Sequence, residues 1–141
     1  MIHTMRTWYR RFIHWPLLDR LVYAALDGLT NAYSALRRFS FPAGYTRRWK
    51  LDMLWGLYEK ETYDLFQTVI KPDMVIIDIG AHIGYFTRRF AKLAGKTGRV
   101  LAFEADRENF ELLKKNTSRL KNTRLFPLAI SDHSGSIDFY N

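Results

Sequence analysis

Cysteine is absent from this 141-residue sequence. It can therefore build neither a disulfide framework nor a cysteine-based metal site, and we expect no metal centre. Long hydrophobic runs are also missing, because the longest apolar stretch near the N-terminus, residues 17–26, is interrupted by Asp19 and Arg20. That stretch is too short and too charged for a membrane-spanning helix or a signal peptide. These absences favour a cytoplasmic protein.

Acidic residues are scarce in the first third of the chain. The net charge is +8, and residues 1–50 contain nine Lys or Arg against two Asp, a net +7. The basic residues are interleaved with aromatic ones, including Trp8 and Trp15. Three interpretations stay open for this segment: a helical cap packed on the rest of the protein, binding to a membrane surface, or binding to a phosphate-rich partner such as RNA. Nucleic acid is the least favoured of the three.

The apolar pattern predicts two regions, a basic helical N-terminal extension over residues 1–49 and an α/β domain over residues 50–141. Apolar residues recur at helical spacing near residues 17–25, and we expect Asp27-Gly28 to end that helix. A second helix is predicted over residues 30–38. Hydrophobic residues make up 48% of the sequence, which is enough for a packed core.

Strand and helix patterns alternate in the predicted α/β domain. The predicted elements are a helix over residues 59–70, a strand over 74–79, a helix near 86–93 stopped by Gly95, a strand over 100–103, a helix capped by Asp106, a strand over 124–130 and a short strand through Tyr140. The first strand is an apolar β-branched run typical of a parallel strand buried on both faces. This order predicts a Rossmann-like fold, here half of a doubly wound parallel sheet.

A glycine-bearing turn follows the first strand and is the most informative motif. Asp78 ends the strand, Gly80 permits a sharp turn, and Gly84 permits close packing where the next helix begins. Glu104 ends the neighbouring strand, where an acid grips ribose hydroxyls in dinucleotide-binding folds. His82 occupies the position of the second glycine of that fingerprint and would crowd a pyrophosphate. The pattern favours a ligand with ribose and adenine but no pyrophosphate, such as S-adenosylmethionine.

Several segments, in this order and spacing, resemble the FkbM-type methyltransferases, a class I S-adenosylmethionine-dependent family. The matching segments are Tyr58-Glu59, Val75–Thr87, Ala102–Asp106, Glu108–Asn116 and Leu128–Asp132. His82 stands where the family commonly has Asn, and Ala105 where it commonly has Pro. The resemblance implies a cofactor site whose members are Asp78, Gly80, Ala81, His82, Gly84, Glu104, Ala129 and Asp132.

The resemblance also implies a role for each part of that site. Asp78 and the glycines would line the methionine end of the cofactor, Glu104 would hold the ribose, and Ala129 or Asp132 would lie near adenine. Local structure offers competing explanations for two acids. Asp106 is explained as a helix N-cap without any ligand, and Asp132 is equally well explained as a turn residue. His82 is balanced between an exposed loop residue and a cofactor contact.

The resemblance implies O-methylation of a hydroxyl on a sugar, a glycan or a secondary metabolite. The alternatives are an RNA methyltransferase and a cofactor-binding module without turnover. The family continues through further strands, so we expect a truncated member that binds cofactor without transferring methyl groups alone, and we assign no catalytic base. The truncation would expose an apolar edge at the first strand and favour self-association.

Overall fold

In the computed structural model, the described residues are 16–132 and Gly135. The elements are α1 (Pro16–Arg37), α2 (Arg47–Trp55), α3 (Lys60–Val69), β1 (Val75–Ile79), α4 (Tyr85–Ala94), β2 (Arg99–Phe103), α5 (Arg107–Thr117) and β3 (Thr123–Phe126). The predicted strand through Tyr140 and the aromatic residues Trp8 and Trp15 lie outside the described residues.

Helix α1 is one continuous helix of 22 residues, so the prediction of two helices separated at Asp27-Gly28 is wrong. A glycine inside a helix costs only about 1 kcal/mol relative to alanine, and the helix continues through Gly28 at that cost. The chain forms two compact units that divide between Tyr33 and Ser34. The predicted domain boundary at residue 50 stays a prediction. Within residues 16–132, no helix combines the length and the apolar character needed to cross a membrane.

Helix α2 was not predicted, although both of its ends carry recognisable signals. Thr46 precedes the helix with extended backbone, and its side chain accepts a long 3.4 Å hydrogen bond from the Trp49 amide. Gly56 ends the helix in the left-handed conformation, with φ at 77°. Helix α3 begins one residue later and ends one residue earlier than predicted.

The three strands form one parallel sheet in the order β1-β2-β3. Asp78 pairs in register with Ala102 and Ile79 with Phe103, so β1 and β2 end at the same edge. The α/β fold with parallel strands joined by helices is confirmed. Strand β3 ends at Phe126 rather than at Ile130, because Pro127 follows and has no N–H to donate to a neighbouring strand.

The core lies on one face of this sheet, beneath α4. Phe90 and Ala91 of α4 pack with Ile70 and Val100, and Ile76 of β1 contacts the same cluster. A second cluster joins the sheet to α5 through Leu113, Ala102 and Ala81. The first cluster packs near the amino ends of β1 and β2, and the second packs at their carboxyl ends, where the glycine turn lies.

Strand β1 is buried on one face only, so the expectation of burial on both faces is wrong for the described residues. Val75, Ile77 and Ile79 are each more than 60% exposed. Helix α4 covers the face that carries Ile76, and no element within residues 16–132 covers the opposite one. A run of β-branched residues indicates that a strand can be buried on both faces, but it does not indicate that another element covers each face. Among the strands of residues 16–132, β1 lies at one side of the sheet and pairs with β2 alone.

Candidate functional site

The turn between β1 and α4 is held against the end of β2 by its own backbone. The amides of Gly80 and Ala81 both donate to the Phe103 carbonyl, at 3.0 and 2.9 Å. Gly80 and Gly84 have φ values of 75° and 85°, in the left-handed region that favours glycine. The sequence prediction of a sharp glycine turn is confirmed, and the turn lies at the edge where β1 and β2 end.

Gly84 permits the close helix packing that the sequence predicts. A Cβ at this position would lie 2.8 Å from Leu113 Cδ1 and 3.3 Å from Thr117 Cγ2. Leu113 and Thr117 belong to α5, and both are almost completely buried. Gly80 differs, because no atom lies within 4 Å of the corresponding point. Gly84 therefore serves helix packing, while Gly80 serves the turn and leaves open space beside it.

Glu104 fixes the turn from the end of β2. Its Oε2 accepts a 2.7 Å hydrogen bond from the His82 amide, and its Oε1 accepts one of 2.9 Å from the Asp106 amide. The side chain is only 8% exposed. Since each carboxylate oxygen has two lone pairs, acceptor capacity remains on both oxygens. Glu104 therefore positions the loop and can still accept hydroxyl hydrogens from a ligand.

Asp78 is a buried carboxylate whose side chain, within residues 16–132, is hydrogen-bonded by Thr87. Thr87 Oγ1 donates to Asp78 Oδ2 at 2.6 Å. Burial raises the pKa of Asp78; the Thr87 hydrogen bond lowers it, and the negative charge of Glu104 raises it further. Within residues 16–132, no basic side chain forms an ion pair with Asp78 or Glu104. A cationic ligand group placed here would offset the burial and the repulsion.

A cavity of about 180 Å³ opens beside the turn. Its lining residues are Met53, Tyr58, Glu59, Asp78, Gly80, Ala81, His82, Tyr85 and Phe86. The structure thus brings together four of the eight predicted cofactor residues, and Glu104 holds the loop behind them. The lining combines one buried acid with three aromatic rings. A ligand with a positively charged, partly apolar end matches that chemistry.

Tyr58 and Glu59 line the cavity, a position that could not be predicted from the sequence. Tyr58 lines the cavity, and its carbonyl accepts a 2.8 Å hydrogen bond from the Tyr85 hydroxyl. Burial, first, and a hydrogen bond with Glu59 raise the pKa of Tyr58 to about 12. The phenol therefore stays protonated at neutral pH. Only the family resemblance singled out this pair, since no periodicity places it beside a turn twenty residues later.

His82 lines the cavity and has a left-handed backbone conformation, with φ at 52°. Such a conformation is uncommon for residues other than glycine, and the hydrogen bond from its amide to Glu104 holds it in place. The Tyr45 hydroxyl oxygen lies 3.4 Å from His82 Nε2. The ring is thus part of the cavity wall and available to a ligand.

The remaining predicted residues lie outside the cavity lining. The Asp106 side chain accepts a 2.7 Å hydrogen bond from the Asn109 amide, which confirms its role as the N-cap of α5. Ala129 and Asp132 follow β3 and are exposed. Their assignment to the adenine end of a ligand stays a prediction.

Known proteins are similar to the part of the chain that begins at Asp78. Residues 78–141 match the family model of the methyltransferase FkbM domain. A 70-residue stretch is 43% identical to the 2-O-methyltransferase NoeI of Sinorhizobium fredii (strain NBRC 101917 / NGR234), covering 50% of this chain. The chain spans only 28% of that relative's length.

Solved structures of methyltransferases are also similar. A putative rRNA-methylase from Clostridium thermocellum has a TM-score of 0.48 and 20% identity, covering 50% of this chain and 39% of that one. Coclaurine N-methyltransferase, in a structure with N-methylheliamine and SAH, has a TM-score of 0.48 and 17% identity, covering 94% and 44%.

Proposed function

We propose that this chain binds S-adenosylmethionine at the carboxyl ends of β1 and β2. The match of residues 78–141 to the family model of the methyltransferase FkbM domain supports this proposal. The observation that carries the proposal is that the two acidic side chains beneath the turn, Asp78 and Glu104, have no ion pair with a basic side chain of residues 16–132. Asp78 is buried next to Glu104, and no basic side chain among residues 16–132 neutralises either of them. The methionine end of this cofactor carries an α-ammonium group, which supplies the missing positive charge.

The cavity suits the other chemical groups of the methionine end as well. Tyr58, Tyr85 and Phe86 present aromatic rings to it. Aromatic faces attract cations, and the sulfonium of the cofactor is a cation. The α-carboxylate would face free backbone amides at the N-terminus of α4, where anions are favoured. Glu104, which keeps acceptor capacity, would receive the ribose hydroxyls.

We further propose that the methyl group is transferred to a hydroxyl oxygen of a sugar, a glycan or a secondary metabolite. The name of the relative from Sinorhizobium fredii, a 2-O-methyltransferase, supports an oxygen acceptor. When bound, the cofactor supplies an activated methyl carbon. The protein's contribution is to hold the acceptor oxygen in line with that carbon, and such positioning can account for about 7–11 kcal/mol of a barrier. We assign no residue to proton removal.

Calorimetric titration with S-adenosylhomocysteine tests the cofactor proposal. Glu104→Ala should weaken binding by about 1–3 kcal/mol, or roughly 5- to 150-fold, because the ribose hydroxyls lose an acceptor. Asp106→Ala is a matched control, since it removes a neighbouring carboxylate that caps α5 and is not among the lining residues of the cavity. Equal affinities of a folded Glu104→Ala variant and the parent chain would remove Glu104 from the site.

A transfer assay with tritiated S-adenosylmethionine tests the acceptor class. The acceptor panel contains oligosaccharides, hydroxylated small molecules and RNA. Label in a sugar or small-molecule hydroxyl supports the proposal. Label in RNA alone contradicts it and favours an RNA methyltransferase, whose activity should then fall steeply with salt. Cofactor binding without label in any acceptor is the result expected if this chain binds the cofactor but does not transfer methyl groups alone.

A further inference from the structure

Three arginines line a second cavity, which residues of α4 help to form. Its lining residues are Arg37, Phe39, Met53, Leu54, Tyr85, Arg88 and Arg89. Arg37 lies in the last turn of α1 and is exposed, whereas Arg88 and Arg89 are half-buried. Met53 and Tyr85 also line the cavity proposed for the cofactor, so the two cavities share a wall. We refer to the second one as the arginine pocket.

The positive charge of the arginine pocket is not balanced by acids. No carboxylate of residues 16–132 forms an ion pair with Arg37, Arg88 or Arg89. Burial, first, lowers the pKa of Arg88 and of Arg89, and the neighbouring cation Arg37 lowers both further. Three like charges at one cavity repel each other, and this repulsion is relieved when an anion enters.

Aromatic rings hold the two half-buried guanidinium groups. Arg89 lies over the Tyr85 ring at 3.8 Å from the centroid and over the Tyr63 ring at 4.8 Å. Arg88 lies 5.3 Å from the Phe39 ring centroid, and its Nη1 and Nη2 donate to the Arg38 and Arg37 carbonyls at 2.9 and 3.3 Å. Stacking engages the face of a guanidinium, and the N–H groups that these carbonyls do not use stay available along its edge.

Arg89 has an unused donor inside the protein. Its Nε is buried and has no hydrogen-bond partner among the described residues. A buried donor without a partner is unfavourable by about 1–3 kcal/mol, and such groups are rare in folded proteins. A ligand oxygen that enters the cavity can supply the missing acceptor.

We propose that the arginine pocket binds a phosphate or sulfate group. Its volume is about 90 Å³, against roughly 10–15 Å³ for a single water, so a tetrahedral anion has room. Arginine is suited to such anions because its planar fork donates two parallel hydrogen bonds to their oxygens. A site for a multiply charged oxyanion matches three cations better than a single carboxylate does. The proposal does not depend on cofactor binding.

Titration with inorganic phosphate at constant ionic strength, with sodium chloride as the balancing salt, tests the site. We expect saturable calorimetric binding to the parent chain in the absence of any cofactor. Arg37→Gln changes an exposed side chain and should weaken binding by roughly fivefold. Arg89→Gln should weaken it by at least about tenfold. Arg89→Lys keeps the charge but loses the planar fork, and it should bind with intermediate affinity.

The matched control is Arg119→Gln, which removes an exposed arginine of the same unit that lies outside the arginine pocket. It should bind phosphate as the parent does. Parent binding no better than that of chloride would overturn the proposal, and so would equal losses in Arg37→Gln and Arg119→Gln. Because Arg37→Gln alters only an exposed side chain, this comparison stands even where Arg89→Gln fails to fold.

Competition distinguishes the source of the anion. Glucose 6-phosphate and vesicles containing phosphatidic acid are compared with glucose and with phosphatidylcholine vesicles as displacers of bound phosphate. Displacement by the sugar phosphate indicates a phosphorylated small molecule, and displacement by the acidic vesicles indicates a lipid headgroup. Displacement by neither identifies a site for the free anion.

Discussion

Replacing Gly84 by alanine introduces a methyl group where α4 begins against α5. The new Cβ would lie 2.8 Å from Leu113 Cδ1, closer than carbon atoms approach in folded proteins. Leu113 is fully buried, so its side chain cannot swing into solvent. The backbone at Gly84 has φ of 85°, which an alanine adopts only with strain. The substitution therefore combines a conformational penalty with a steric one.

The two penalties can be separated with Gly80→Ala. A left-handed conformation costs a residue with a Cβ about 1–2 kcal/mol, and Gly80 has a similar φ of 75° with open space around its added Cβ. Overpacking in a tight core costs a further 1–3 kcal/mol, roughly. We expect Gly84→Ala to lower the free energy of unfolding by about 2–5 kcal/mol and Gly80→Ala by about 1–2 kcal/mol.

Urea denaturation of the two variants and the parent, followed by far-ultraviolet circular dichroism, measures these differences. A loss of this size is a large fraction of the 5–15 kcal/mol, roughly, that stabilises a typical domain. The midpoint should fall further for Gly84→Ala, with an unchanged slope. Equal destabilisation by the two substitutions would refute the argument, because the contact with Leu113 would then contribute nothing.

Two further predictions concern charge. Asp78→Asn should raise the free energy of unfolding of the unliganded chain at neutral pH, because Asn can still accept the Thr87 hydrogen bond without burying a charge. The raised pKa of Asp78 means that the folded state holds a proton that the unfolded state has released, so the parent loses stability as pH rises through that window. The difference in stability between the variant and the parent, measured by thermal denaturation, should therefore disappear below about pH 3.9. A stability difference that persists below that pH would show that the buried charge is not its cause. Because its N-terminal segment is basic and aromatic, the chain should co-sediment with anionic vesicles at low salt, and a smaller fraction of it should co-sediment at high salt. Absence of vesicle binding at low salt would leave packing on the domain as the better account of that segment.

The elements around the cavity proposed for the cofactor were predictable because local signals and the apolar period agree there. The glycine turn, the Asp106 cap and the parallel pairing of β1 with β2 each follow from a short stretch of sequence. Helix α1 was not predictable as one helix, because the signal of Gly28 is weaker than the helical tendency around it. The exposed face of β1 depends on which elements cover it, and local sequence does not encode that.

Only part of the proposed cofactor site could be predicted from the sequence. The turn residues were found because they follow a strand, but Tyr58 enters the cavity from a segment well before β1 in the chain. The arginine pocket gathers Arg37 and Arg89 across about fifty residues. Charge clusters assembled by tertiary structure have no sequence period, so only the fold reveals them.

The central claim is that the turn after β1 holds the methionine end of S-adenosylmethionine, and NMR titration tests it most directly. A ¹⁵N-labelled chain is titrated with S-adenosylhomocysteine, and its amide resonances are followed. We expect the resonances of Gly80, Ala81 and His82 to shift and saturate together, while those of Gly95 and Gly98, at the amino ends of the strands, stay in place. A titration that leaves the turn resonances unchanged at saturating ligand would contradict the account.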